Sequence, residues 1–206
     1  MTEITVTRAL TQVKTLDERI AAFAQKSEPV VSFKVGQKSA GGRPLQEVEQ
    51  LISASFQSVQ GLITQRNAIK AAIIRSNSET SVVINGVTMT VAEAIERKGS
   101  IRLEAALLQT MRGQLGAVTA KVEQLNRQME ADLQALMVAA VGKDRQVTES
   151  ELAAIRDPFI AQKQASLIDP LNLAAQIATL DASITGFTAE VDFVLSESNA
   201  ITKITV

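Results

Sequence analysis

The stretch Val82-Val83-Ile84-Asn85-Gly86-Val87-Thr88-Met89-Thr90-Val91-Ala92-Glu93 decides the fold class of this chain. Asn-Gly between two β-branched runs is a strong hairpin signal, because both central residues of a type I′ turn take positive φ. Thr90 and Glu93 then have capping-box spacing, which opens a helix at about Val91. From there Ile95, Ile101, Ala105, Leu108, Met111, Leu115, Val118, Val122, Leu125, Met129, Leu133, Leu136 and Ala140 follow one another mostly at steps of 3 or 4. That stripe predicts one helix from about Val91 to Val141, some six heptads in length. At 1.5 Å per residue it would be about 75 Å long, against a mean of about 11–12 residues in ordinary domains. Gly99, Gly113 and Gly116 interrupt it, and Gly99-Ser100 is the expected break.

Working upstream, Leu45, Val48, Ile52, Phe56, Val59, Ile63, Ile69 and Ile73 mark a second helix from about Pro44 to Arg75, stopped by Ser76-Asn77-Ser78. Helices 44–75 and 91–141 are expected to lie antiparallel as one arm, with the Asn85-Gly86 turn near its tip. The longer helix then needs further partners, from the terminal helices or from a second protomer. Between Pro29 and Pro44, Val30-Val31-Ser32-Phe33-Lys34-Val35 reads as a strand and residues 36–44 as a flexible basic loop. That loop lacks the Gly-Lys-Ser/Thr step of a phosphate-binding loop. Leu10, Val13, Leu16, Ile20 and Phe23 give an amphipathic helix over about 7–26.

Downstream, residues 142–145 read as a turn, and Thr148-Glu149-Ser150-Glu151 as a second capping box. Pro158 and Pro170 predict short helical pieces between them. A last helix spans about 171–195, on Leu173, Ile177, Leu180, Ile184, Phe187, Val191 and Val194. The termini echo each other, Glu-Ile-Thr-Val at 3–6 and Lys-Ile-Thr-Val at 203–206. The first reading of so short an echo is β-propensity by composition; the sharper one makes both termini edge strands, pairing with each other or with a neighbouring subunit. The expected fold is mainly α: a long antiparallel, coiled-coil-like helical hairpin with a β-hairpin at its tip, flanking terminal helices and short terminal strands. It reads as a single elongated domain over 1–206, with 29–44 as strand and loop, 45–141 as the arm and 142–206 as the C-terminal part.

Composition narrows the chemistry. The 206 residues contain no His, Cys, Trp or Tyr. Thiol nucleophiles, Ser-His-Asp triads and His- or Cys-ligated metals are therefore excluded. Acidic residues on the long helix alternate with Arg and Lys, the pattern of a solvated face rather than a catalytic carboxylate pair. Asp192 is expected to meet Arg97 or Arg102. Met89, Met111, Met129 and Met137 read as core or seam fillers. The net charge of −1 and the scattered cations argue against direct nucleic-acid binding. No run of 18 apolar residues is present, so no membrane span is expected, and Met1-Thr2-Glu3-Ile4 lacks the features of a secretory signal.

Ile74-Arg75-Ser76-Asn77 and Gly86-Val87-Thr88-Met89-Thr90-Val91-Ala92-Glu93-Ala94-Ile95-Glu96-Arg97 resemble a family of small bacterial and phage helical proteins described as septicolysin-like or of unknown function. There a helix ends in Ile-Asn-x-Thr-Asn, a hairpin reaches Gly-x-Thr-Leu-Thr, and a helix starts with Glu-Ala-Leu-Ala-x-Arg. Here Ser76, Met89 and Ile95 replace Thr, Leu and Leu, and Lys98 stands where that pattern has Asp. The resemblance covers about residues 74–97 and implies a helical body with a hairpin and no established catalytic residues. The 29–44 segment and the terminal Ile-Thr-Val strands depart from it.

These readings lead to an expected function: a non-enzymatic structural protein without cofactor or metal, docking in repeated copies as a component of a tailed-phage virion. Neck, collar, tail and capsid decoration are the positions considered, with assembly in the host cytoplasm. A cytoplasmic bacterial coiled-coil adaptor or regulator is the alternative, and a membrane-active toxin a third class. Contact residues are expected at the hairpin, Val83, Asn85, Gly86 and Met89, and at the termini, Ile4, Val6, Ile201, Ile204 and Val206. Partners are further copies of the chain or other virion proteins.

Overall fold

A computed structural model describes residues 2–26, 29–141 and 148–206. Of these, 77% are helical, which places the chain in the mainly α class. The expected turn at 142–145 lies outside the described residues. The elements in chain order are β1 (Glu3–Thr5), α1 (Val6–Lys26), β2 (Ser39–Ala40), β3 (Arg43–Pro44), α2 (Leu45–Glu79), β4 (Ser81–Ile84), β5 (Val87–Thr90), α3 (Val91–Val141), α4 (Glu149–Lys163), α5 (Leu173–Ile201) and β6 (Lys203–Thr205). They form two compact units, Met1–Gly99 with Gly186–Val206, and Ser100–Thr185.

In the first unit the two ends of the chain meet. β1 and β6 pair antiparallel with Ile4 opposite Ile204. The Thr2 N–H donates to the Val206 carbonyl at 2.8 Å, and the Val6 N–H to the Thr202 carbonyl at 2.9 Å. Val6, expected in the strand, is the first residue of α1. From it Val6, Ala9, Val13 and Leu16 follow at helical spacing and bury one face against Ile69 and Ile73 of α2, together with Ile4 and Ile204. Each buried Val, Leu or Ile side chain stabilises by about 1.5–3 kcal/mol. An Asp17–Arg66 ion pair at 2.8 Å flanks this seam. Asp17 meets Arg66, while Ile20 and Phe23, further along α1, share a groove with Val48, Ile52 and Phe56 nearer the start of α2, so the two helices run antiparallel.

Residues 30–35 form no strand. Their β-branched run finds no partner ladder, and an unpaired extended segment gains no hydrogen bonds. Val30, Val31, Phe33 and Val35 all stay exposed. The β structure falls instead inside the expected flexible loop, where β2 and β3 pair around Gly41-Gly42. Those glycines have φ of 57° and 80°, the signature of a type I′ turn.

α2 runs through Ser76-Asn77-Ser78 to Glu79 and ends at Thr80, whose N–H returns to the Ser76 carbonyl. The serine does not stop the helix because the Ser78 hydroxyl donates to the Arg75 carbonyl at 2.7 Å, a helical back-bond. β4 and β5 then pair in the register Val82–Met89 and Ile84–Val87. Asn85 and Gly86 take φ of 51° and 74° at the turn. Thr90 caps α3 as expected. Its hydroxyl accepts the Glu93 N–H at 3.1 Å, and its own N–H donates to the Glu93 carboxylate at 2.6 Å.

α3 is unbroken through Gly99-Ser100, although the boundary between the two units falls there. Within the second unit α3 and the first half of α5 face each other antiparallel. Arg112 and Asp181 pair at 2.8 Å, and Leu115 and Thr119 face Ala174 and Ile177 across a shallow gap. Further along, the Asn126 amide clamps the backbone of Ala165: it accepts the Ala165 N–H at 2.8 Å and donates to its carbonyl at 3.0 Å. α4 begins at the expected Thr148–Glu151 capping box and continues through Pro158 to Lys163. The proline interrupts one exposed turn without ending the helix. Of the stretch between Pro158 and Pro170, expected to hold short helical pieces, residues 164–169 are non-helical, and Asp169 caps α5 by accepting the Leu173 N–H at 2.8 Å.

Candidate interaction surfaces

The sequence singled out two groups of contact residues, and the structure treats them differently. At the hairpin, strand alternation turns Val82 and Ile84 inward and Val83 outward. Val83 is 57% exposed and Val87 50%, and Asn85 and Gly86 of the turn are also exposed. Met89 is half-buried opposite Val82. The turn is not free, however. The Asn85 N–H donates to the Glu190 carboxylate of α5 at 2.6 Å, and the Asn85 side chain lies directly over Gly186. The φ of 74° at Gly86 gives it a turn-forming role.

At the termini, Ile4, Val6 and Ile204 are buried, and Val206 is half-buried against the same core. They pair with each other within the chain, so these side chains are spent on the interior. Ile201, expected in the last strand, is the final residue of α5 and is 72% exposed.

Electrostatics follow the same local logic. Asp192 pairs with Lys98, one residue from the expected Arg97. Arg97 stacks over the Phe187 ring at 4.6 Å from its centroid, a cation–π contact. Glu93 is held below the usual carboxylate range, first by the Thr90 N–H and then by the Thr90 hydroxyl. On α4 the neighbouring Asp157, and then Glu149, favour the charged form of Arg156. Among the described residues no three acidic groups converge on a point where a metal ion could sit. No helix among them is long and apolar enough to cross a membrane.

No protein family, curated protein or solved structure matches this chain.

Two apolar surfaces escaped the sequence reading. The first is a groove of about 680 Å³ in the first unit, between α1, α2 and the 29–43 segment. Ile20, Phe23, Val31, Ile52, Phe56 and Val59 line it, with Lys26 and Arg43 among its few polar groups. Phe56 is 56% exposed there. The second lies on α3 in the other unit, where Leu103, Leu107, Val118, Leu125 and Leu136 are all exposed. Periodicity marked both helices as apolar but could not say which part of each stripe the chain itself covers. Among the described residues, more large hydrophobic side chains are exposed than are buried.

Proposed function

We propose that this chain is a non-catalytic structural protein that acts by docking in repeated copies, in the setting of a tailed-phage virion. The observation that carries the reading is the apolar surface left uncovered on α3 and beside α1 and α2. Isolated exposed apolar residues are ordinary, but contiguous ones mark interaction sites. The chain has closed its own ends by pairing β1 with β6, so assembly proceeds through helix faces rather than by exchange of terminal strands.

The non-catalytic part is supported by the side-chain inventory, which lacks His and Cys, and by carboxylates engaged in exposed ion pairs and caps. The virion setting is supported by a 51-residue helix built to span distance, and by the hairpin-and-cap likeness at 74–97 to bacterial and phage proteins. Sedimentation and mass photometry at micromolar concentration test the assembly, and the identity of the adjacent genes tests the setting. A portal, capsid or tail gene beside this one is the expected finding. An isolated metabolic operon would contradict the virion setting.

A further inference from the structure

Among the described residues, seven large hydrophobic residues of α3 are exposed; Ile95 and Val138 point to the far side of the helix, and the other five share one face. At about 100° per residue, Leu103, Leu107, Val118, Leu125 and Leu136 fall within an arc of about 60°. That arc adjoins the covered face, where Leu108 and Met129 are buried and Met111, Leu115, Val122 and Leu133 half-buried. The apolar face of α3 is therefore wider than the area its own chain covers. Its columns repeat every 11 residues rather than every 7: Leu103, Leu125 and Leu136 with Gln114, then Leu107, Val118 and Met129, then Met111, Val122 and Leu133. Such a repeat, at roughly 3.67 residues per turn, keeps a seam on one side of a nearly straight helix.

Two charges sit within the uncovered arc. Lys121 and Asp132 occupy the same column one repeat apart, both exposed. Lys121 makes no ion pair with any described residue, and Asp132 only accepts a hydrogen bond from Gln128 at 2.9 Å. A parallel second helix would set lysine against lysine and aspartate against aspartate. An antiparallel copy, related by a two-fold axis passing between Asn126 and Arg127, sets each Lys121 opposite Asp132 of the second copy. The same axis brings Val118 level with Leu136 of the second copy, to within about one 1.5 Å rise, and the two Leu125 side chains to within about 4.5 Å along the axis. Charge pattern and apolar pattern thus select one arrangement, and it is self-complementary, as a two-fold interface requires.

We infer that the outward face of α3 over residues 118–136 binds a second copy of this chain antiparallel, through Val118, Leu125 and Leu136 with Lys121–Asp132 pairs on either side of the dyad. This rests on the assembly reading above and specifies its first contact. The chain contains no cysteine, so introduced thiols are unambiguous. Three full-length variants, Val118→Cys, Leu125→Cys and Leu136→Cys, replace exposed residues and are oxidised alone and in pairs. The expected products are a Leu125→Cys homodimer and a mixed disulfide between Val118→Cys and Leu136→Cys, with no Val118→Cys homodimer. Lys121→Asp is expected to weaken self-association about tenfold, because like charges then face each other, and adding Asp132→Lys is expected to restore it. A Val118→Cys homodimer would establish parallel pairing and overturn the inference. Oligomers with no cross-link at any of the three positions would overturn this surface while leaving the assembly reading intact, and a monomer would overturn both.

Discussion

Gly186 on α5 lies so close to Asn85 at the β4–β5 turn that a Cβ there would fall 2.5 Å from the asparagine side chain. This approach fixes the hairpin on α5, and the Asn85 N–H to Glu190 hydrogen bond closes it on the same side. Gly186→Ala is expected to lose the gain of up to about 1 kcal/mol that alanine brings to a helix interior and to destabilise the protein modestly, because the Asn85 amide must move aside. The loss should shrink in an Asn85→Gly background, where the side chain is removed and the positive φ is retained. Chemical denaturation of the four proteins of this cycle measures the coupling. Equal costs of Gly186→Ala in both backgrounds would show that the two residues do not meet.

Glycines inside α3 should behave in the opposite way. Gly113 and Gly116 have nothing within 4 Å of an added Cβ and lie in a continuous helix. Alanine at each is expected to stabilise by up to about 1 kcal/mol. Gly86→Ala, at a φ of 74°, should destabilise. Thermal melts that rank the three substitutions otherwise would contradict the helix geometry or the turn assignment.

The terminal ladder predicts that truncation at one end unsettles the other. Removing residues 203–206 takes Ile204 from the core and leaves Ile4 without its cross-strand partner. Ile204→Ala alone should cost about 2–5 kcal/mol. Amide exchange at Val6, whose N–H bonds to the Thr202 carbonyl, should accelerate in the truncated chain. Unchanged protection there would place the N-terminal strand's stability elsewhere.

The Thr90–Glu93 cap carries a pH dependence of known sign. Its carboxylate has a pKa below the usual range in the folded state. Its contribution is therefore present above the ordinary glutamate value and is lost as pH falls through the depressed one. Glu93→Gln should lower stability at neutral pH and flatten the acid side of the stability curve. A variant whose acid slope matches the parent protein would remove Glu93 from that role.

Much of this architecture was legible in the sequence because its signals are local. The Asn85-Gly86 turn, both Thr–Glu capping boxes, and the start and end of α3 depend on residues within one turn of each other. What was hidden depends on partners distant in sequence. Val30–Val35 has strand composition but no strand to join, whereas Gly41-Gly42 closes a ladder that composition left as a loop. Ser76–Ser78 is polar enough to stop a helix, yet back-bonding carries α2 to Glu79. The core role of Ile4, Val6 and Ile204 follows from an in-chain pairing that an echo of Ile-Thr-Val could propose but not assign. The outward stripe of α3 was invisible because a single periodic pattern records both the covered and the uncovered arcs.

The central claim is that the uncovered helix faces exist to bind further copies. Sedimentation equilibrium of the intact chain at micromolar concentration tests it most directly. A defined oligomer with an even number of copies, built on the two-fold contact of α3, is the predicted result. A strict monomer with its terminal ladder intact would contradict the account.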